Sequence, residues 1–371
     1  MFSHIKNKSI KKHTLNIVHI FSGDLWAGAE VMIFNLLSEL KKFKHINLYA
    51  ISLNKGTLMN KLIDKKINIE IVDEKQYPFI IILFKIAKIL INIGNIDIIH
   101  SHRYKENLIA FLTKLYLKPS VKLISTMHGI SEIEKGIKKI KDIANMWILR
   151  NFFITVSVSN ELKYQLKNRK FSKVITIHNG INIPSYIPKS KNSIIHIGTV
   201  ARLVKIKRLY LFLFIAKELK SKRSNLKFSI LGDGPLKNRL ILLAKSLGLE
   251  KDITFFSEVV NPISYYRSLD IYINTSLHEG IPMSILEAMA CGNPVIAFKV
   301  GGIPEIVEDS KEGFMIENNN LKLFIEKILV LIDKPELRYT MGKRCREKIK
   351  NYFNATLMAF RYYNLYKNLI L

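Results

Sequence analysis

Residues 271–298 read IYINTSLHEGIPMSILEAMACGNPVIAF. Ile271–Asn274 is a short run rich in β-branched residues, Pro282–Ala290 repeats apolar residues at helical spacing, and Val295–Phe298 is a second apolar run. A strand, a helix and a strand in that order form a βαβ unit, and the crossover makes the two strands parallel. Pro282 suits the first helical position and Gly292 the helix stop.

The same rhythm extends in both directions. Towards the N-terminus, strands are expected at Asn16–Phe21, Leu48–Leu53, Ile69–Val72, Ile96–His100 and Leu123–Thr126. Helices Ala29–Lys42, Leu58–Lys65, Pro78–Ile93 and Lys105–Leu117 separate them. After a Pro-, Ser- and Lys-rich stretch, Ile183–Ser193, the alternation restarts with strands Ile194–Ala201, Lys227–Leu231 and Ile253–Phe256. Helices Arg208–Lys220, Pro235–Leu247 and Ile263–Ser268 follow them in turn. Two doubly wound α/β domains, residues 1–188 and 189–351, are the economical reading. A chain of 371 residues has room for both.

Composition narrows the class. At 48% hydrophobic and 24% charged residues the chain can bury a sizeable core. Two cysteines, Cys291 and Cys345, rule out a disulfide framework and a multi-cysteine zinc site, and fit a reducing, cytoplasmic compartment. The 58 Lys and Arg against 30 Asp and Glu give +28, to which an A/T-biased coding sequence contributes many of the lysines. No helix-turn-helix, zinc-finger or aromatic RNA-binding pattern accompanies that charge, so nucleic acid is not the expected partner. Residues 15–21 form too short an apolar run for a leader, and Phe79–Ile93, interrupted by Lys85 and Lys88, is too short to span a bilayer.

In parallel α/β sheets ligands gather at the carboxyl ends of strands. The loop of the opening βαβ unit places Glu279 and Gly280 before a helix whose first amides, Ile281, Pro282 (which lacks an N–H), Met283 and Ser284, border an anion-binding end. Glu287 lies inside that helix among Ile285, Leu286, Ala288 and Met289, where a carboxylate needs hydrogen-bond donors such as sugar hydroxyls unless it faces solvent. Arg202 directly after a strand and Lys207 five positions on can grip one diphosphate, as a fork and as a point charge. Trp26-Ala27-Gly28-Ala29-Glu30 opens a helix after the first strand but lacks the glycines of a dinucleotide fingerprint. His128, followed by Gly129 at a strand end, points into the crevice.

Taken together, Glu279 and Glu287 with Gly280-Ile281-Pro282, Glu287-Ala288-Met289-Ala290, Gly301-Gly302-Ile303-Pro304-Glu305, Arg202 with Lys207, Gly232-Asp233-Gly234-Pro235, Asn179-Gly180-Ile181 and His128-Gly129 resemble the family-4 retaining glycosyltransferases of GT-B fold. The resemblance runs from Ile17 to the last helix. It implies two Rossmann-like domains facing a central cleft, with residues 352–371 crossing back onto the first. It also implies a nucleotide-sugar donor held by the second domain: Arg202 and Lys207 on the diphosphate, Glu287 on the ribose, and Glu279 on the donor sugar beside the amides of residues 281–284. His128 would sit near the transferred sugar, and Gly28 would let the first loop close over the phosphates. On this carry-over Arg202, Lys207, Glu279 and His128 take the catalytic roles. Ala27, His178, Asn182 and Arg208 depart from the family pattern, which has Gly, Pro, Asp and Gly there.

A front-face transfer with no metal and no cofactor is the expected mechanism, since no Asp-x-Asp pair in a metal-binding context is visible. The expected acceptor is a glycan or lipid-linked sugar of bacterial capsule, lipopolysaccharide or exopolysaccharide assembly. A basic amphipathic helix over residues 132–150 with Trp147 suggests peripheral binding to the anionic inner face of the cytoplasmic membrane. A nucleotide-sugar epimerase and a non-catalytic nucleotide-sugar binder on the same fold remain alternatives.

Overall fold

The computed structural model describes residues 14–23, 26–129, 137–187, 194–257 and 261–370, with residues 137–139 described by backbone alone. The first sheet holds β1 (Leu15–Phe21), β2 (Ile46–Ser52), β3 (Asn68–Ile71), β4 (Ile98–Ser101), β5 (Lys122–Met127), β6 (Ile154–Ser157) and β7 (Val174–Thr176), ordered β3-β2-β1-β4-β5-β6-β7. The second holds β8 (Ile195–Val200), β9 (Leu226–Leu231), β10 (Ile253–Phe256), β11 (Ile271–Asn274), β12 (Val295–Phe298) and β13 (Gly313–Ile316), ordered β10-β9-β8-β11-β12-β13. Every strand pairing is parallel, as the βαβ reading requires. Each sheet reverses its winding beside its first strand, at β1/β4 and β8/β11, where two neighbouring loops part and leave a crevice.

Helices α1 (Gly28–Leu40), α2 (Thr57–Asp64), α3 (Phe79–Ile93), α4 (Tyr104–Lys114), α5 (Ile137–Arg150) and α6 (Asn160–Asn168) wrap the first sheet. The second carries α7 (Leu209–Lys220), α8 (Lys237–Ser246), α9 (Ile263–Ser268), α10 (Met283–Ala290), α11 (Ile303–Ile306), α12 (Leu321–Asp333) and α13 (Pro335–Tyr352). The pleat explains the layering. Along β1, Leu15, Ile17 and Phe21 pack with Met32 and Leu36 of α1, whereas Val18 and Ile20 pack with Ile82 and Ile86 of α3. Residues 132–136 of the expected basic helix, and the end of the expected linker at 188–193, lie outside the described residues.

A last helix, α14 (Ala355–Ile370), lies against the first unit. Its buried Tyr366 hydroxyl is 2.6 Å from His100 Nδ1 and its buried Tyr362 hydroxyl 2.8 Å from Thr126 Oγ1. The chain therefore passes between the units twice, and the two passages hold each other. The Ile181 amide donates to the Phe353 carbonyl at 2.9 Å, and the Ala355 amide donates to the Ile181 carbonyl at 2.9 Å. Gly180 permits this approach, because a Cβ there would stand 2.4 Å from the Asn354 carbonyl oxygen.

Candidate functional site

The loop between β11 and α10 is folded around Glu279. Its buried Oε1 accepts from Lys207 Nζ at 2.6 Å, Ser276 Oγ at 2.6 Å and Asn274 Nδ2 at 3.3 Å. Burial pushes this carboxyl up, but the Lys207 ammonium and the three donors outweigh it and hold the acid below its usual range. Glu279 is thus a fixed anion, with one oxygen fully engaged. Lys207 ends a short 3-10 turn, Lys205–Lys207, so the expected diphosphate cation stands beside the expected sugar-binding acid. Arg202, two residues past the end of β8, is exposed.

Arg208 explains how the loop is held. It adopts a left-handed backbone, φ 45° and ψ 42°, a conformation that costs a non-glycine residue about 1–2 kcal/mol and accounts for the usual glycine there. The side chain offsets that cost. Its guanidinium donates to the Thr275 and Ser276 carbonyls at 3.0 and 3.2 Å and to Asn319 Oδ1 and Asn318 Oδ1 at 2.9 and 2.8 Å, and lies 4.8 Å from the Phe298 ring centroid. In sequence Arg208 registered only as a departure from the family pattern; its position between a functional lysine and a helix start was the available signal.

Close backbone packing shapes the rest. A Cβ on Gly301, at φ +53°, would stand 1.8 Å from the Glu279 carbonyl oxygen, so Gly301-Gly302 is the floor on which the Glu279–Gly280 turn rests. Beyond Pro282, α10 presents its first amides. Ser284, in the first turn of α10, is half-buried. Glu287 is partly buried and accepts from the Tyr266 hydroxyl at 2.8 Å. Burial pushes its carboxyl up to about 7. Its donor in this structure is thus a tyrosine hydroxyl, and the helix does not turn it wholly to solvent.

Four contacts bring the first unit against this loop. A Cβ on Gly280 would stand 2.5 Å from the His128 carbonyl oxygen, so only glycine lets the two units meet there. Asn179 Nδ2 donates to the Ile281 carbonyl at 3.1 Å. A Cβ on Gly28 would stand 3.4 Å from Met283 Cγ, which places the first helix start opposite the α10 start. Glu305 accepts from the Asn160 and Glu161 amides of α6 at 2.9 and 3.0 Å and from His178 Nε2 at 2.7 Å. His178, where the family pattern has proline, is thereby part of a clasp between the units that the sequence reading did not foresee.

His128 belongs to a buried stack of imidazoles that the sequence reading saw only in part. Ring centroids lie 4.6 Å apart for His19 and His100, 4.5 Å for His100 and His102, and 5.9 Å for His102 and His128. Ligand atoms of His19, His100 and His102 fall within 4.8 Å of one another; His19 Nδ1 is hydrogen-bonded to His102 Nε2 at 3.1 Å, while His100 Nε2 bonds outward to Thr126 Oγ1 at 2.8 Å. Burial, and for His128 the nearby Arg103 as well, lowers His19 and His128 to about 3, so both rings are neutral at physiological pH. Among the described residues, His128 Nε2 is buried without a hydrogen-bond partner. Two carboxylates close the same end of the first sheet. Glu30 is paired with Arg103 and Glu106 bonds Ser22, and burial raises both.

Comparison with known proteins agrees with this geometry. Residues 26–184 match the family model described as Glycosyltransferase Family 4, and residues 181–348 match Glycosyl transferases group 1. An uncharacterized glycosyltransferase of Methanocaldococcus jannaschii is 30% identical over 341 residues, 88% of this chain and 90% of that protein. The poly(ribitol-phosphate) alpha-N-acetylglucosaminyltransferase of Staphylococcus aureus is 28% identical over 53% of this chain, which spans 40% of that longer protein. In fold, Anabaena HepE in complex with UDP-glucose superposes with a TM-score of 0.83 at 17% identity, covering 95% of this chain and 100% of that one. With both halves matched in order and two parallel-sheet units meeting at the Glu279 loop, the chain belongs to the family-4, group 1 glycosyltransferases and has the GT-B fold.

Proposed function

We propose that this enzyme moves a hexose-type sugar, with retention, from a nucleotide-diphosphate sugar to a glycan or lipid-linked sugar acceptor in bacterial surface polysaccharide assembly, on the cytoplasmic side and without a metal. The observation that carries the reading is the Lys207–Glu279–Ser276 cluster beside the open end of α10, next to the point where Gly280 meets the His128 backbone of the first unit. A relative named as a poly(ribitol-phosphate) alpha-N-acetylglucosaminyltransferase, and a fold neighbour in complex with UDP-glucose, make UDP-hexoses the first donors to try.

Chemically, Arg202, Lys207 and the α10 amides take up the negative charge that grows on the departing diphosphate, an electrostatic contribution that is commonly the largest in such transfers. As the bond from the anomeric carbon to the diphosphate oxygen breaks, the acceptor oxygen bonds that carbon from the same face, and its proton passes to a phosphate oxygen of the leaving group. Glu30 and Glu106 do not suit a double displacement, because burial raises both carboxyls, and Glu30 is moreover paired with Arg103. Neutral His128 would donate to or accept from a hydroxyl of the sugar through its unpartnered Nε2.

Thermal shifts across a panel of nucleotide-sugars, followed by nucleoside-diphosphate release with and without EDTA, test the proposal. A UDP-hexose should raise Tm, and release in the presence of acceptor should survive chelation. Loss of release in EDTA with recovery on adding manganese would refute metal independence. Donor binding with no sugar transfer to any acceptor would instead leave a non-catalytic binder, and no shift with any donor would remove the site.

A further inference from the structure

The outer side of the first unit is unlike an ordinary water-facing surface. The buried sides of α3, α4 and α5 all contribute to one core cluster with Val18 and Ile20 of β1, so the three helices lie on one face of the sheet. Their opposite sides should be polar in a protein surrounded only by water. Instead α3 exposes Phe79, Ile80, Ile81, Phe84 and Ile91, with Ile80 56% and Phe84 57% exposed. Leu115, directly after α4, is 76% exposed with Tyr116 beside it, and α5 exposes Ile140, Ile143 and Trp147, the last 58% exposed. Trp147 also packs edge-on against Phe111 of α4, 5.6 Å between centroids, which ties the α4 and α5 parts of the surface together. Ten large apolar side chains, 40–76% exposed, on one side of the first sheet are more than the scattered single apolar residues of an ordinary water-facing surface.

Charge identifies the occupant. The described side chains of these helices carry Lys85, Lys88, Lys114, Lys141 and Arg150, with Lys105 paired to Glu74, against Asp142 and the buried Glu106. A second copy of the same face would bring like charges together across a two-fold axis. An anionic, greasy surface accepts both components, with apolar side chains in the acyl boundary and ammonium groups at the phosphates. The described residues contain no helix long and apolar enough to cross a membrane, so the face would lie on a bilayer rather than span it. We infer that the α3–α4–α5 face is a docking surface for anionic lipid bilayers, seated mainly by α3 and α5. It widens the membrane contact from the single helix suggested by the sequence to a three-helix face. It adds a partner to the proposed transferase and stands or falls separately from it.

The test is co-sedimentation of the full chain with phosphatidylcholine vesicles and with vesicles also containing phosphatidylglycerol. The expected result is about tenfold or greater enrichment on the anionic vesicles, falling with salt, since each lysine brought to such a surface multiplies binding by about fivefold. Ile80→Ser/Phe84→Ser/Trp147→Ser should lose at least about tenfold of that binding, and Lys85→Glu/Lys88→Glu a similar amount at low salt. Brominated acyl chains should quench tryptophan emission in the parent but not in Trp147→Phe. Tm and donor-induced thermal shift, measured on every variant, separate misfolding or a failed donor site from a failed surface. Equal recovery of the parent in both supernatants would overturn the inference. So would concentration-dependent dimerisation abolished by the same serine substitutions, which would assign the face to a second copy.

Discussion

Replacing Glu287 by Gln separates what this residue does for stability from what it does for the donor. Burial raises its carboxyl from 4.5 to about 7, so the folded chain holds a proton that the unfolded chain releases. Below pH 4.5 both states are protonated and there is no penalty; between 4.5 and about 7 stability falls as pH rises; above 7 the full cost remains. At 1.36 kcal/mol per pH unit the shift corresponds to an upper bound of about 3 kcal/mol. Glutamine keeps an acceptor for the Tyr266 hydroxyl, 2.8 Å away in the parent, without a charge to desolvate. Urea unfolding at pH 4, 6 and 8 should therefore show Glu287→Gln no more stable than the parent at pH 4 and about 1–3 kcal/mol more stable at pH 8. The same variant should bind a nucleotide-sugar more weakly if the carboxylate receives ribose hydroxyls. A stability difference independent of pH would refute the burial argument, and unchanged donor affinity would take Glu287 out of the donor site.

Lys207→Ala leaves Glu279 buried without its cation and removes a diphosphate contact; donor Kd by calorimetry should rise about 10- to 100-fold, and an unchanged Kd would exclude Lys207 from the site. Arg208→Gly relieves the left-handed strain yet loses four hydrogen bonds and the ring contact, so chemical denaturation should show a net loss of about 1–3 kcal/mol; a gain would mean that the strain outweighs the anchor. Gly280→Ala drives a methyl group against the His128 carbonyl, so kcat should fall at least about tenfold while donor affinity changes little; full turnover would show that the units need not meet there. Glu305→Gln weakens the clasp on His178 and the α6 amides, and limited proteolysis should then cut more readily between the units; an unaltered pattern would make that contact incidental.

Much of this protein was legible in its sequence. The strands Ile253–Phe256, Ile271–Asn274 and Val295–Phe298 coincide with their expected bounds, because short apolar runs flanked by polar breaks have no other way to be buried. The segment from Val174 to Thr176 was not read as a strand, since three residues carry no period. The Glu279 loop was legible for a different reason. A glycine, a proline and acids at fixed offsets describe a strand, a tight turn and a helix start, all of them local.

What the sequence could not specify depends on residues far apart in the chain. Lys207 finds Glu279, His178 finds Glu305, and Tyr366 reaches His100 only after two sheets and a returning helix are in place. Each of those bonds is decided by where buried polar groups can be satisfied, and local propensity carries no record of that. The exposed side chains of α3 make the same point in reverse: in sequence Phe79–Ile93 reads as apolar almost all round, and only packing against β1 shows which residues were left outside. Local pattern, then, settled which segments are strands and helices and where an anion could bind. Tertiary packing settled which charges are paired, which histidines stay neutral and which apolar face is left for a partner, because burial is a property of the assembled layers.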